Sequence, residues 1–122
     1  MEFQKKDAIY LQIADLMCER ILLKEWQEND RIPSVRELAV GLEVNPNTVM
    51  RAYAFLQEKG IIFNKRGIGY FVSSEGLKIT RNLYRSNFIR NDLPQLYKTL
   101  KLLDMDFKEF YSLYNEFKEK EK

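Results

Sequence analysis

Apolar residues recur with helical spacing in three segments before Gly60. The first pattern predicts a helix that begins at a cap on Asp7 and ends near Leu23. Its apolar stripe consists of Tyr10, Ile13, Ala14, Met17 and Ile21. A second helix is predicted to start at Ser34, because Ser34 and Glu37 have the spacing of a capping box. Its buried stripe consists of Val35, Leu38, Ala39 and Leu42.

The third helix has a clear beginning and a clear end. Asn45 is a good N-cap, Pro46 suits the first turn, and Gly60 can adopt the left-handed conformation that ends a helix. Its apolar stripe consists of Val49, Ala52, Tyr53 and Leu56. Only two residues separate the second helix from the cap of the third, so the two helices must cross at a steep angle. This arrangement predicts a helix-turn-helix.

After the third helix the pattern changes to that of β-strands. The runs IIFN and YFVS are rich in β-branched and aromatic residues, and they flank the turn sequence KRGIG. Gly67 and Gly69 allow positive φ at the tip. The pattern therefore predicts a two-stranded hairpin that carries Lys65 and Arg66 outward, with residues 31–32 as a short third strand. A helix-turn-helix followed by such a hairpin is the winged-helix arrangement.

The third helix has an outward face that is polar, basic and short-chained near its N-terminus. At about 100° per residue, the positions opposite the apolar stripe are Asn47, Arg51, Ala54 and Glu58. In a helix-turn-helix, the second helix of the motif enters the major groove with its N-terminal residues at base edges. Asn47 and Arg51 are the predicted base readers, because an amide can bond adenine and a guanidinium can bond guanine. Thr48 can contact a base or a phosphate.

The start of the second helix and the wing supply the other predicted DNA contacts. Ser34 and Arg36 would meet phosphates through helix N-terminal amides and the guanidinium charge. The wing would reach a neighbouring minor groove, which favours cations and an unobstructed backbone. Between Arg31 and Tyr70, six cations stand against three carboxylates, so positive charge is concentrated there. The complete predicted DNA-binding set is Ser34, Arg36, Asn45, Asn47, Thr48, Arg51, Lys65, Arg66, Gly67 and Gly69.

The residues after the wing predict a helical tail. A helix from about Glu75 to Asn91 is followed by two amphipathic helices, one starting at Pro94 and one capped by Asp106 and Glu109. A helical hairpin this small has little interior, so its apolar face needs a partner surface, either the winged domain or a second copy of the chain. We expect a second copy, because two-fold dimers suit symmetric operators. The predicted dimer interface comprises Leu77, Tyr84, Phe88, Leu93, Leu96, Tyr97, Leu100, Leu103, Phe107, Phe110, Tyr111, Tyr114 and Phe117.

Composition narrows the possible chemistry. The chain of 122 residues has no histidine, which removes imidazole-based catalysis and imidazole zinc sites. Its only Gly-x-Gly, at residues 67–69, lacks the third glycine and the helix of a phosphate-binding loop. Cys18 is the single cysteine, and no apolar run resembles a signal peptide or a membrane span. We therefore expect a cytoplasmic protein that is not an enzyme, with no metal, no cofactor and no membrane partner.

The stretch IPSVRELAVGLEVNPNTVMRAYAFLQEKGIIFNKRGIGYFV resembles the DNA-binding domain of GntR-family bacterial transcription regulators, over roughly residues 8–74. The resemblance implies that the positions of Arg36, Thr48 and the wing glycines contact DNA. The segment NPNTVMRAY is similar to the YtrA and MocR branches. Other branches often have arginine where Pro46 and Met50 stand here, so those contacts do not carry over, and Arg51 is the candidate to assume part of that role.

The predicted organisation is a winged helix-turn-helix domain over residues 1–75 and a helical dimerisation region over residues 76–122. Its fold class is mainly α with a small β-hairpin wing. The 47 residues after residue 75 are too few for the large effector or aminotransferase-like domains of most branches, which favours the YtrA-like branch. The predicted function is a homodimeric transcriptional repressor of a palindromic double-stranded DNA operator. The alternative is a winged-helix module that binds a protein, and no small-molecule effector is identified by the sequence.

Overall fold

The structure, a computed structural model, describes residues 8–121. In that range it is mainly helical, with six α-helices and one antiparallel two-stranded hairpin. The chain divides into two compact units, one that ends at Tyr84 and one that begins at Arg85. The predicted fold class is confirmed, while the sequence-based boundary after residue 75 stays a prediction.

The first two helices are both present. Helix α1 spans Ile9–Leu22 with Ala8 at its N-cap position, and the predicted cap Asp7 lies outside the described residues. Helix α2 spans Val35–Leu42 and starts with the predicted capping box. The Ser34 hydroxyl oxygen accepts the amide of Glu37 at 3.0 Å, and the Ser34 amide donates to the Glu37 carboxylate at 2.8 Å. Each residue thereby satisfies a backbone amide that the helix start leaves unpaired.

Helix α3 follows α2 after a tight turn and spans Pro46–Glu58. Glu43 in the turn is left-handed, with φ of 57°, which lets the chain reverse within two residues. The Asn45 carboxamide oxygen accepts the amide of Asn47 at 2.7 Å, as expected of an N-cap. Gly60 lies just beyond the helix with φ of 80°. Both predicted ends of α3 are therefore confirmed.

The hairpin consists of β1, Ile62–Lys65, and β2, Gly69–Val72. The strands pair antiparallel, and the register runs from Ile62 opposite Val72 to Lys65 opposite Gly69. Residues 66–68 form the tip, where Gly67 has φ of 79°, and Gly69 follows with φ of 146°. The predicted positive φ values at both glycines are confirmed. Residues with a side chain rarely adopt positive φ, so glycine suits both positions.

The predicted third strand is present as a single bridge. Arg31 pairs antiparallel with Phe71, on the side of β2 away from β1. The Ile32 amide donates to the Tyr70 carbonyl at 3.0 Å. The segment before α2 is therefore fixed to the wing by backbone pairing.

The core of the first unit lies between α1, α2, α3 and the hairpin. Its buried apolar residues are Ile13, Ala14, Met17, Cys18, Ile21, Ile32, Ala39, Val49, Ala52, Tyr53, Leu56, Ile61, Ile62 and Val72. Tyr53 of α3 connects three elements of this unit. Its hydroxyl donates to the Pro33 carbonyl at 2.5 Å, and its ring meets the Tyr70 ring edge-on with centroids 4.8 Å apart. The start of α2 and the wing are thus both attached to α3.

The tail segments are helical throughout, apart from one short turn. Helix α4 spans Gly76–Asn87, a π-helical turn spans Phe88–Asp92, and α5 spans Leu93–Leu102. Helix α6 spans Phe107–Glu121. The Asp106 carboxylate accepts the amide of Glu109 at 2.9 Å, which confirms the predicted cap of α6.

Pro94 lies in the first turn of α5, which confirms the predicted start of that helix. The preceding helical segment continues directly into α5 through the π-helical turn. Proline has no amide hydrogen, and in an α-helix its ring clashes with the carbonyl four residues earlier. The wider turn, in which the Leu93 amide donates to the Phe88 carbonyl five residues back, accommodates proline without a non-helical break.

Helix α4 is attached to α1 by a partly buried polar cluster. The Tyr84 hydroxyl donates to the Asp15 carboxylate, and Cys18 lies beside Tyr84. Burial, with a smaller contribution from the Asp15 charge, raises the pKa of the Cys18 thiol to about 11. Burial is also the main cause that raises the pKa values of Tyr84 and Tyr53. All three groups are therefore held neutral in the folded chain.

These pKa shifts predict that alkali destabilises the first unit. An acid whose folded pKa is raised stabilises the fold below its unfolded pKa, and this stabilisation disappears as pH rises through the folded value. For Cys18 the window runs from 9.0 to about 11. The free energy of unfolding should fall there by up to about 1.4 kcal/mol per pH unit for this group. Urea melts across that range should show this decline, and Cys18→Ala should make it shallower. An unchanged pH slope in Cys18→Ala would contradict the assignment.

Candidate nucleic-acid interface

The N-terminal half of α3 presents a polar surface because the apolar stripe takes the other side of the helix. Val49 and Tyr53 are fully buried, whereas Asn47 and Arg51 are exposed and Thr48 is partly exposed. Asn45 is exposed, but its carboxamide oxygen is engaged in the cap, which leaves its amide group to donate. The predicted base readers thus share one accessible face.

Arg51 is held in place by an aromatic ring. Its guanidinium carbon lies 4.1 Å from the centroid of Tyr10, a residue of α1. A guanidinium at this distance over a ring gains about 0.5–1 kcal/mol at an exposed site. The contact restricts a long side chain while its donors remain exposed. Arg51 is therefore partly ordered before any ligand binds.

The start of α2 combines a capped helix N-terminus with an exposed cation. The hydroxyl oxygen of Ser34 accepts within the capping box, so its hydrogen remains available to an acceptor outside the helix. The pKa of Glu37 is lowered by the Ser34 backbone amide and hydroxyl, and by the nearby charge of Arg31. Arg36 is exposed one residue into the helix. This end of α2 suits a phosphate.

The wing carries its cations at and beside the tip. Arg66, Gly67 and Ile68 form the exposed tip, closed by a 2.8 Å hydrogen bond from the Ile68 amide to the Lys65 carbonyl. Lys65 is exposed, and its ammonium nitrogen lies 5.2 Å from the centroid of Phe71. Gly67 is exposed, while Gly69 is partly covered by the Arg31 side chain.

Two residues at this surface lie outside the predicted set. Met50 is 46% exposed on α3, and its sulfur lies 4.0 Å from the Tyr70 hydroxyl. Arg31 lies along the wing, with its guanidinium beside Gly69. Met50 is an apolar residue on the polar face of α3. The helical pattern of the sequence could therefore have identified it as exposed. Arg31 is part of the local charge excess, but its place beside Gly69 depends on a long-range strand pairing.

The predicted dimer residues fall into three groups. Leu77 and Tyr84 pack against the core of the first unit. In the second unit Leu96, Leu100 and Phe110 are half-buried and line an apolar groove of about 430 Å³. The remaining predicted residues of the tail are exposed, namely Phe88, Leu93, Tyr97, Leu103, Phe107, Tyr111, Tyr114 and Phe117. The second unit therefore displays many large apolar side chains on its own surface.

Within residues 8–121, no group of histidine, cysteine, aspartate or glutamate side chains is arranged to hold a metal ion. In the same range, no helix combines the length and the apolar character needed to cross a bilayer. The described surface instead combines a polar helix face, a capped helix start and a basic hairpin. These features define the chain as a winged helix-turn-helix protein of the DNA-binding class.

The family model for bacterial regulatory proteins of the gntR family matches residues 9–72, and this chain belongs to that family. The chain is similar to an HTH-type transcriptional repressor, YtrA, of Bacillus subtilis (strain 168). The two are 42% identical over 88 residues, which are 72% of this chain and 67% of YtrA. The resemblance to GntR regulators, including YtrA-type ones, is thereby confirmed.

Two further relatives agree. YhcF, an HTH-type transcriptional regulator of Bacillus subtilis (strain 168), is 43% identical over 74 residues, so the match spans 61% of each chain. The crystal structure of a GntR-family regulator from Bacteroides thetaiotaomicron shares 43% identity and a TM-score of 0.75. That match covers 94% of this chain and all of the other. The chain is thus a transcriptional regulator with a DNA-binding domain, and its relatives are not enzymes.

Proposed function

We propose that this chain acts in the cytoplasm as a homodimeric repressor that binds a palindromic operator. The observation that carries the proposal is the exposed polar face at the N-terminal half of α3, between a phosphate-suited helix start and a basic wing. All three lie in one unit whose core holds them together. Because such a surface meets both a groove and its bordering phosphates, it favours duplex DNA over a protein partner.

The proposed reading mode places α3 in the major groove. Asn47 and Arg51 contact base edges there, and Thr48 contacts a base or a phosphate. Ser34 and Arg36 bind a backbone phosphate at the start of α2. The wing, with Lys65, Arg66 and its glycines, lies against the neighbouring minor groove.

The proposed dimer forms through the second unit. In a single copy of the chain, the large apolar side chains of the second unit are exposed, and Phe107 is 74% exposed. Apolar surfaces of this extent are rare on monomers and mark interaction sites. A second copy is the favoured partner because a two-fold dimer presents two identical DNA-binding domains to a symmetric operator. YtrA of B. subtilis bears the name of a repressor, which supports repression by promoter occlusion.

Duplex binding at varied salt tests the proposed function. Genomic fragments retained by the immobilised full-length protein can be sequenced to obtain the operator. Affinity for that operator should fall steeply as salt rises, because bound phosphates release counterions. A chain that retains no duplex, or binds all duplexes alike, would refute sequence-specific recognition. The alternative, a protein-binding winged helix, predicts no such salt dependence on DNA.

Arg51 and Lys65 should respond differently to alanine substitution. Arg51→Ala should cost about 1–3 kcal/mol on the operator and relax preference at one base position. Lys65→Ala should weaken all sequences alike and lower the salt slope by about one unit per half-site. Fluorescence anisotropy on the operator and on single-base variants measures both effects.

Tyr10→Leu is the matched control for Arg51→Ala. It removes the ring beneath the guanidinium but keeps Arg51, so binding should fall less than in Arg51→Ala. Thermal melts of both variants separate loss of folding from loss of contact. Equal losses on every sequence for Arg51→Ala and Lys65→Ala would exclude base reading by Arg51.

A further inference from the structure

The outer face of the wing carries side chains from three paired segments, namely residue 31, β2 and β1. In an antiparallel pair, residues directly opposite each other project from the same face, as do residues two apart along one strand. Arg31 is opposite Phe71, and Lys65 is opposite Gly69 on the other side of β2. Because residues 69 and 71 are two apart, all four positions share this face. Two cations therefore flank β2, whose first residue, Gly69, has no side chain.

Gly69 provides space for the Arg31 side chain. A Cβ atom at Gly69 would lie 3.0 Å from Nε of Arg31 and 3.6 Å from its guanidinium carbon. Such a distance is shorter than ordinary van der Waals contact, so a side chain there would require the Arg31 side chain to shift. The φ of 146° at Gly69 also disfavours a side chain. Glycine thus allows Arg31 to lie across the wing backbone.

The two cations lie on opposite sides of β2. Neighbouring strands are about 4.8 Å apart and residues two apart along a strand are about 7 Å apart, so the backbones of Arg31 and Lys65 are separated by about 12 Å. The Lys65 ammonium lies over the Phe71 ring, and the Arg31 guanidinium lies beside Gly69. Each side chain thus extends over β2 toward the residue opposite the other cation, so both can reach one small anion there.

Neither cation is neutralised by an ion pair within the part of the chain that the structure describes. Glu37 is the acidic group that feels the charge of Arg31, but its carboxylate accepts the Ser34 amide. Arg31 and Lys65 are both exposed residues. The surface therefore has two positive charges available to an anion over β2.

We propose that Arg31 and Lys65 together grip one backbone phosphate of the operator over β2. This inference rests on the proposed operator binding and adds a contact to it. A guanidinium matches two phosphate oxygens in a planar fork, while the ammonium supplies a point charge from the other side. The gripped phosphate fixes the wing on the duplex and carries no base information. Arg31 is thus a DNA-binding residue that holds the wing in position.

The test uses the full-length chain and the operator recovered from genomic fragments, with affinity measured over a range of KCl concentrations. Arg31→Gln removes the charge but retains much of the stem over Gly69. It should weaken operator binding about tenfold per half-site and lower the salt slope by about one unit per half-site. Arg31→Lys keeps the charge and should retain the slope. The matched control is Arg81→Ala, since Arg81 is an exposed arginine of α4 outside the proposed interface; its slope should stay unchanged.

A double-mutant cycle gives a second readout. Arg31→Gln should cost much less affinity in a Lys65→Gln background than in the unaltered chain, because both cations contact the same phosphate. Equal losses in both backgrounds would overturn the joint grip, as would an unchanged salt slope in a folded Arg31→Gln protein. If the unaltered chain binds no duplex, the proposed function itself fails. If it binds and Arg31→Gln binds equally well, only the present inference fails.

Discussion

A chain shortened after Asn87 should bind its operator about two to four orders of magnitude more weakly than the full-length chain, while its affinity for a single half-site should barely change. The proposed dimer links two DNA-binding domains. Once one domain is bound, the other meets the second half-site at an effective concentration in the millimolar range. Removing α5 and α6 abolishes this linkage but leaves every proposed DNA contact in place. Anisotropy on full-site and half-site duplexes measures both affinities.

The point of truncation follows from the packing of α4. Thr80 is fully buried, and Leu77 and Tyr84 pack against the core of the first unit. A chain that ended at Glu75 would lose these contacts and expose that core. Ending after Asn87 retains α4 entire, so a loss of operator binding then reports the missing tail.

A pair of point variants in α6 provides the control for this truncation. Phe107→Glu places a charge on the exposed apolar surface and should reproduce the loss of full-site affinity. Lys108→Ala changes the next, polar position and should retain the dimer. Light scattering gives the mass of each variant. A full-length chain that is monomeric at concentrations that saturate the operator would refute the dimer.

The second large effect is a loss of stability in Gly76→Ala, which adds one methyl group at the start of α4. A Cβ at Gly76 would lie 2.7 Å from the Ile61 carbonyl oxygen and 2.9 Å from a methyl of Val72. Because the carbonyl is backbone, it cannot move away without disturbing the chain before β1. Gly76→Ala should therefore lower the free energy of unfolding by about 3 kcal/mol. Urea or thermal melts measure the loss.

Gly41 offers the same substitution with the opposite expected sign. It lies within α2, and a Cβ there would meet no atom within 4 Å. Gly41→Ala should stabilise the fold by about 0.5–1 kcal/mol, because alanine loses less backbone entropy in a helix. If both variants change stability alike, close approach at Gly76 is not the determining factor.

Local sequence signals predicted the elements of the winged helix-turn-helix domain well. Each of α2 and α3 has a cap and an apolar stripe within its own segment, and Gly60 ends α3, so these bounds follow from neighbouring residues. The hairpin tip likewise follows from Gly67 and Gly69, which have positive φ. The family resemblance to GntR regulators added the order of these elements and their use on DNA.

The features that the sequence did not reveal depend on distant partners. The Arg51 guanidinium rests on Tyr10, forty-one positions earlier, and the Arg31 side chain rests on Gly69 across a strand pairing. Neither contact has a local signature. The π-helical turn before Pro94 was not predicted for another reason. Proline indicates the start of a helix, but it does not indicate which kind of turn precedes it.

The position of Tyr53 has a consequence for how quickly an operator can be recognised. Its single buried ring contacts the wing, and its hydroxyl holds the chain before α2, so the three DNA-facing elements keep their spacing in the free protein. The encounter with DNA then requires no prior folding or ordering of these elements, which spares the entropy such ordering costs. Association should be governed by diffusion and charge steering, and discrimination between sequences should appear in the residence time.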